Sequence, residues 1–345
     1  MSLNNAVNPQ ELFWDNQKLE PVLITYNRSE NLQDTLQAFI KAGLTDIKLH
    51  ILDNASTDNT EEVVSTAKNN WPNLTYHRNP YNIGGNANIM RAVEIASSEY
   101  SWIIGDDDEW FLEDITELKA VLQKSQADVI RLGWLVSPVS RGRYTEAIQL
   151  VKNDQLFFAS VSMISATIVR RSIITKSLPY AYMAIGDSYP QLVSILRALT
   201  SQQLNVYSLS KDIMLHTPSN VPGYFAGDLE WYNGWFRTSR FIEDKNLREY
   251  FIKDIFTYIT REGSTIKSLF LWLLMVMLNF KALGVNQMTY LLNMLAFGKG
   301  WRCRLLIMTI CYLLIPTFIA KWARKLAFSL SGRTDKGLRV DKSRI

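Results

Sequence analysis

Between residues 21 and 105 the chain repeats one local pattern: a short β-prone apolar run, a polar cluster, then apolar residues at helical spacing. Pro21-Val22-Leu23-Ile24-Thr25-Tyr26 reads as a buried strand. Leu32, Leu36, Phe39 and Ile40 then share a helix face that ends at Gly43, with Asn27 or Ser29 placed to cap it. Lys48–Leu52 is the second strand, followed by the polar run Asp53–Thr60 and a helix from Glu61 to Asn69. Leu74–Arg78 is the third, leading through Asn79–Gly85 into a helix that holds Ile89, Val93 and Ile95. The fourth, Ser101–Gly105, runs straight into Asp106-Asp107-Asp108. Strand–helix units recurring about every 25 to 30 residues predict an α/β fold, a mostly parallel sheet with helices on both faces.

In sheets of this kind ligands collect at the carboxyl ends of the strands. The clusters Thr25-Tyr26-Asn27-Arg28, Asp53–Asp58, Asn82–Asn88 and Asp106–Asp108 should therefore converge on one edge. Three successive carboxylates repel one another unless a cation sits among them. A hard divalent ion, Mg²⁺ or Mn²⁺, suits oxygen ligands of this type better than sulfur or imidazole-rich cages. Taken singly, Asp106–Asp108 is also readable as a solvated turn, Asp53–Thr60 as a capped loop and Gly84-Gly85 as a turn. Their shared placement favours a metal-and-phosphate site.

The motifs Pro-Val-Leu-Ile-Thr-Tyr-Asn-Arg, Leu-Asp-Asn-Ala-Ser-Thr-Asp-Asn-Thr, Asn-Ile-Gly-Gly-Asn-Ala-Asn and Gly-Asp-Asp-Asp, in that order, resemble the family-two glycosyltransferases of the GT-A fold. The resemblance is strongest to the abequosyltransferase-like and rhamnosyltransferase-like enzymes of bacterial surface-polysaccharide assembly, and covers about residues 20–220. It implies a nucleotide-sugar donor, a Mn²⁺ or Mg²⁺ ion bridging the donor diphosphate, and inversion at the anomeric carbon. Carried over residue by residue, it puts Thr25, Tyr26 and Arg28 in the nucleoside pocket and Asp53 as an acceptor for the base or ribose. Asn82, Gly84 and Asn88 match the Asn-x-Gly element beside the donor. Asp106 and Asp108 match the Asp-x-Asp pair, the first nearer the ribose and the second on the metal, with Asp107 able to share either task. His216 matches a further metal ligand, and Asp187 the base that takes the acceptor hydroxyl proton. On their own residues, Asp187 also reads as an N-cap of the helix Gln191–Leu199, and His216 as an ordinary surface or core histidine. His50 and His77, in or beside strands, read as structural. The segment Phe157–Ile168 maps onto the part of the family that faces the donor sugar, where a glycine-rich sequence is more usual.

The remaining chain frames this domain. A length of 345 residues allows one large α/β domain with an appendage, or two domains. Asp114–Lys124 reads as a helix and Val129–Trp134 as a strand; residues 137–155, with Pro138 and Arg141-Gly142-Arg143, read as a mobile loop near the acceptor. Residues 221–260 form an aromatic-rich linker or acceptor region, in which Trp231 and Trp235 suit packing onto the catalytic body.

Charge then divides sharply. Residues 1–260 hold 23 Lys+Arg against 30 Asp+Glu, net −7, whereas residues 261–345 hold 14 against 3, net +11. The apolar runs Ser268–Phe280 and Leu305–Ala320 fall short of the ~20 residues a spanning helix needs. Lys267, Lys281, Lys299, Arg302, Arg304, Lys321, Arg324 and Lys325 flank them. That pattern predicts helices lying on an anionic membrane surface through residues 264–328, and disfavours nucleic acid as the partner; a buried helical bundle is the plainer reading. Residues 329–345 are basic, polar and expected to be disordered.

Cys303 and Cys311, eight residues apart in a helical pattern, stand ~12 Å apart at ~1.5 Å per residue, too far to bridge. With no secretory signal in residues 1–20, the expectation is a cytoplasmic enzyme peripheral on the inner face of the cell membrane, acting on a lipid-linked saccharide. The domain expectation is an extension at 1–20, a catalytic domain at 21–220, the aromatic region at 221–260, the membrane-associating helices at 261–328 and the tail. Two rivals are a sugar-phosphate nucleotidyltransferase, whose glycine-rich phosphate loop is replaced here by Thr25-Tyr26-Asn27-Arg28, and a non-catalytic saccharide-binding module.

Overall fold

The computed structural model describes residues 14–187, 189–216, 234–260, 281–282 and 302–330. The chain divides into two compact units, Met1–Ile185 with Pro190–Ser219, and Gly186–Tyr189 with Asn220–Ile345.

The first unit is built on an eight-stranded mixed sheet in the order β3-β2-β1-β4-β8-β6-β9-β7. Its parallel half consists of β1 (Leu19–Thr25), β2 (His50–Asp53), β3 (Thr75–Arg78) and β4 (Tyr100–Gly105). β1 lies at the centre of that half, pairing with β2 on one side and β4 on the other, both parallel. Alternation along these strands separates two apolar layers. Leu23, Ile51, Trp102 and Ile104 join Leu32, Leu36 and Phe39 of α1 (Ser29–Lys41) and Val64 of α2 (Thr60–Lys68) in one core. Val22, Leu52 and Ile103, one residue out of phase, pack on Ala92 and Val93 of α3 (Gly85–Ile95) and on Ile174. Helices thus cover both faces, as the strand–helix repeat predicts.

Beyond β4 the direction changes. β8 (Thr167–Arg170) runs antiparallel to both β4 and β6 (Val129–Arg131), and β7 (Arg143–Glu146) runs antiparallel to β9 (Asn205–Ser208). Here the structure corrects one expectation. Residues 137–155 are not a loop: they form a 3-10 turn at Pro138–Ser140, strand β7, and helix α5 (Ala147–Asn153). They are anchored by Ala147, Leu150 and Val151, which α5 buries on one face, and by a buried ion pair. Arg131, 1% exposed, donates to Asp154 Oδ2 at 2.7 Å, and Ser140 Oγ donates to the same oxygen at 2.9 Å. The segment Phe157–Ile168 opens as helix α6 (Phe157–Ser162) with Phe157 and Phe158 fully buried.

At the start of α1 neither Asn27 nor Ser29 caps the helix with its side chain. Asn27 Oδ1 instead accepts from Thr57 N at 2.7 Å, and Ser29 N donates to Asp58 Oδ2 at 2.8 Å. The capping groups are spent on fastening the loop after β1 to the loop after β2. α4 is Thr116–Lys124, followed after β8 by α7 (Arg171–Met183) and α8 (Pro190–Ser201). A separate two-stranded sheet pairs β10 (Met214–Leu215) antiparallel with β5 (Glu109–Trp110).

In the second unit, residues 234–238 are helical and lead through a 3-10 turn at Ser239–Phe241 to the helix Lys245–Thr260. Trp235, 1% exposed, stacks on Phe251 at 4.4 Å and donates Nε1 to the Phe251 carbonyl at 2.9 Å. Trp235 is therefore core; Trp231 lies outside the described residues. The apolar run Leu305–Ala320 does not make one helix. It breaks at Ile315-Pro316 into the helices Arg302–Leu314 and Thr317–Leu330, because proline cannot continue a helix from within. The run Ser268–Phe280 and the tail 331–345 lie outside the described residues.

Asp154→Ala should lower stability by about 3–5 kcal/mol in denaturant unfolding, since it leaves the Arg131 guanidinium buried without its counter-charge. A loss under 1 kcal/mol would show that the segment 137–155 is held by other contacts.

Candidate functional site

The strand order fixes where a ligand can sit. β2 and β3 lie to one side of β1 and β4 to the other, so the connections diverge between β1 and β4, and the crevice at their carboxyl ends is the expected binding position. Register brings the polar clusters to that edge: Thr25 pairs with Asp53, Asp53 with Arg78, and Ile24 with Gly105.

The carboxylates that follow Gly105 each find a different partner. Asp106 is 4% exposed; Thr25 Oγ1 donates to its Oδ2 at 2.6 Å and Arg28 to its Oδ1 at 3.1 Å. Burial pushes its pKa up to about 6, against the opposing pull of Arg28 and the Thr25 hydrogen bond. Arg28 also reaches Asp107 Oδ2 at 2.6 Å. The turn itself is pinned from below, where Thr35 Oγ1 donates to the Asp106 carbonyl at 3.2 Å and Gly105 N donates to Ser165 Oγ at 2.9 Å.

Asp108 is served from far along the chain. Leu215 pairs with Glu109 in the β5–β10 ribbon, so the residue before Glu109 and the residue after Leu215 become neighbours. His216 Nδ1 lies 3.0 Å from Asp108 Oδ1, with the Trp134 ring edge-on to the imidazole at 5.6 Å. The Asp108 side chain is fully buried, yet its Oδ2 has no hydrogen-bond partner. A buried carboxylate oxygen left without a donor is costly. A cation would relieve that cost, so this donor set fits a hard divalent ion. Among the described residues no group of three or more His, Cys, Asp or Glu side chains is gathered to hold a metal. Of the three expected ligands, Asp108 and His216 come together, while the Asp106 carboxylate is turned to Thr25 and Arg28.

The remaining expected donor residues sit along the same edge. Asp53 is 1% exposed, and its Oδ1 accepts from Ser56 N at 2.8 Å and Ser56 Oγ at 2.5 Å. Its Oδ2 accepts from Tyr76 OH at 2.7 Å and lies 3.3 Å from Arg78 Nε. Asp53 thus organises the ends of β2 and β3. Tyr26, half-buried, directly follows Thr25 at the end of β1.

Asn82 and Asn88 belong to an amide network. Asn54 Nδ2 donates to Asn82 Oδ1, Asn79 Nδ2 donates to both Asn54 Oδ1 and Asn88 Oδ1, and Gly84 N donates to Asn82 Oδ1. Gly84 has φ +83°, a conformation glycine adopts without strain, and it opens α3 with no side-chain cap. The sequence reading missed Tyr76, Arg78, Asn54, Asn79 and Thr35. Strand register offered a signal for Arg78, since it falls opposite Asp53; Thr35 gave none, being one of several polar residues in an amphipathic helix.

Asp187 belongs to the second unit. It closes a 3-10 turn, Ile185–Asp187, ahead of α8, and is 4% exposed. Arg240 lies 2.6 Å from its Oδ2 and Arg237 Nε lies 3.2 Å from its Oδ1. Burial raises its pKa, while Arg240 and Arg237 act to lower it. His50 and His77, read as structural, are paired at 3.0 Å at the far edge of the sheet, with Glu20 at 3.5 Å from His50.

A mixed α/β sheet with carboxylates at its switch point defines the GT-A-like class of folds. Residues 22–178, a little under half of the chain, match the family described as Glycosyl transferase family 2. Abequosyltransferase RfbV of Salmonella typhimurium is 39% identical over 109 residues, covering 30% of this chain and 32% of that protein. An uncharacterized glycosyltransferase of Mycoplasma genitalium, MG060, is 25% identical over 118 residues, covering 33% of this chain and 40% of the relative. The match thus spans well under half the length of either relative.

Among solved structures, residues 1–349 of S. aureus TarS in complex with UDP superpose with a TM-score of 0.54 at 15% identity, covering 94% of this chain and 95% of that one. The same protein with UDP-GlcNAc gives 0.54 at 15% identity, covering 93% and 94%. These establish the fold.

Asp108→Asn should leave the fold intact and raise metal-free stability by up to about 1 kcal/mol, because it removes a buried charge with an unfilled oxygen. Thermal unfolding with and without MnCl₂ and a nucleoside diphosphate checks this. Wild type should gain melting temperature from the ligands and the variant should not; an equal gain in both would remove Asp108 from the site.

Proposed function

We propose that this protein is an inverting glycosyltransferase that moves a sugar from a nucleotide-sugar donor to a lipid-linked saccharide in the assembly of bacterial surface polysaccharide, at the cytoplasmic face of the cell membrane. The observation that carries the reading is the pairing of buried Asp108 with the half-buried His216 beside the switch point, with one carboxylate oxygen unfilled. Asp108 and His216 would hold a Mn²⁺ or Mg²⁺ ion, the other positions falling to donor phosphate and water, as is usual for hard ions that keep few protein ligands. Such an ion, when bound, neutralises charge on the departing nucleoside diphosphate.

The chain's own groups divide the rest of the work. Thr25 and Tyr26 would line the nucleoside pocket. Arg28, held by Asp106 and Asp107, presents a guanidinium beside the phosphates. Asp106, the donor-side member of the Asp-x-Asp pair, keeps Arg28 in place, and Asp107 shares that task. Asp53 fixes the pocket floor through Tyr76 and Arg78. Asn82, Gly84 and Asn88 shape the start of α3, whose free N–H groups favour negative charge.

Asp187 would take the acceptor hydroxyl proton. Arg237 and Arg240 keep its carboxylate ionised, and burial makes it a stronger base than an exposed aspartate. Transfer of a sugar is supported by the relative named as an abequosyltransferase.

Asp187→Asn should lower kcat by about 10²–10⁴-fold while leaving donor binding unchanged. Wild-type activity should fall on the acid side with a midpoint above the ordinary carboxyl value of 3.8, because a raised pKa protonates the base at higher pH. Near-wild-type turnover in the variant would exclude Asp187 as the base. Release of pyrophosphate instead of nucleoside diphosphate would replace glycosyl transfer with nucleotidyl transfer.

A further inference from the structure

The helices Arg302–Leu314 and Thr317–Leu330 are amphipathic in the reverse of the usual sense. On the first, Leu306, Ile310 and Leu313 recur at spacings of four and three and are 52%, 45% and 55% exposed. On the second, Phe318, Trp322 and Leu326 recur every four residues and are 71%, 65% and 43% exposed. Inward positions go to Tyr312 and Ala320, 6% and 1% exposed. Single exposed apolar residues are ordinary, but continuous apolar rows on two successive helices mark an interaction surface.

Charge and length narrow what covers it. Lys321 and Lys325 are exposed along one flank of the second helix. Residues 261–345 carry 14 Lys+Arg against 3 Asp+Glu. A second copy of the chain would set its own Lys321 and Lys325 against these, and like charges oppose that pairing. An anionic lipid surface complements it. At ~1.5 Å per residue each helix is about 20 Å long, short of the ~30 Å hydrocarbon core. No helix among the described residues is long and apolar enough to cross a membrane.

We propose that these two helices lie flat in the interface of an anionic bilayer, with the Leu306–Ile310–Leu313 and Phe318–Trp322–Leu326 rows in the acyl boundary and Lys321 and Lys325 among the head groups. The break at Ile315-Pro316 lets the two rows settle on the surface as separate segments. Trp322 has the amphipathic ring favoured at that depth. The proposal stands on this surface alone, whatever reaction the first unit carries out, and it would hold the enzyme where a lipid-borne acceptor is found.

The test is co-sedimentation of the full chain with vesicles of phosphatidylcholine alone and of phosphatidylcholine with phosphatidylglycerol. Wild type should pellet with the anionic vesicles and be released by salt. The exposed double substitution Phe318→Ser with Trp322→Ser should lower partitioning at least about tenfold, the order expected from losing burial of two large apolar side chains. Lys321→Glu with Lys325→Glu should abolish the preference for the anionic lipid. Both variants should keep the wild-type melting temperature and sugar transfer to a water-soluble acceptor. Equal pelleting of wild type and both variants would overturn the proposal. So would a wild-type dimer, seen by light scattering, that the aromatic double substitution dissolves.

Discussion

Charge compensation at the end of β4 is the requirement from which the arrangement of the first unit follows. Three carboxylates in succession cannot be desolvated together unless each is answered. The fold answers them separately: Asp106 through Thr25 and Arg28, Asp107 through Arg28, Asp108 through His216. The first two answers need β1 beside β4, which the parallel pairing provides. The third needs the chain to return after β9 and pair β10 with β5. Within this cluster, Oδ2 of Asp108 is buried with no hydrogen-bond partner.

The loops around that point are held firmly, and at a cost. Asn27 and Ala55 sit at φ +50° and +66°, left-handed conformations that non-glycine residues adopt reluctantly, at about 1 kcal/mol or more each. Asn27 is kept there by bonds from its backbone N–H to Ser56 Oγ and from Thr57 N to its side chain. The asparagine network beneath Gly84 does the same for the third loop. Rigid polar loops on a parallel sheet preorganise a site before any ligand arrives.

What was legible in the sequence was what periodicity encodes. β1 to β4 and the helices α1 to α3 fall within a few residues of their expected places, because alternate strand faces and helical spacing are both visible in a linear string. The convergence of Thr25, Asp53 and Asp106 on one edge followed from topology. What escaped was set by contacts between residues distant in the chain. The segment 137–155 looks like a loop because its strand and helix are short, four and seven residues, and its buried Arg131–Asp154 pair joins positions 23 apart in the chain. The internal partners of Asp53 depend on register between β2 and β3. The split of the C-terminal apolar run at Pro316 was legible as well, since a proline interrupts the run there and cannot continue a helix from within.

The pairing of Asp108 with His216 spans 108 positions of chain. The parallel core of β1 to β4 is complete by Gly105, whereas His216 arrives only after β9 has been laid down. The three carboxylates after β4 are therefore synthesised well before the imidazole that answers one of them. A chain that stopped short of residue 216 would bury the Asp108 carboxylate without its imidazole partner.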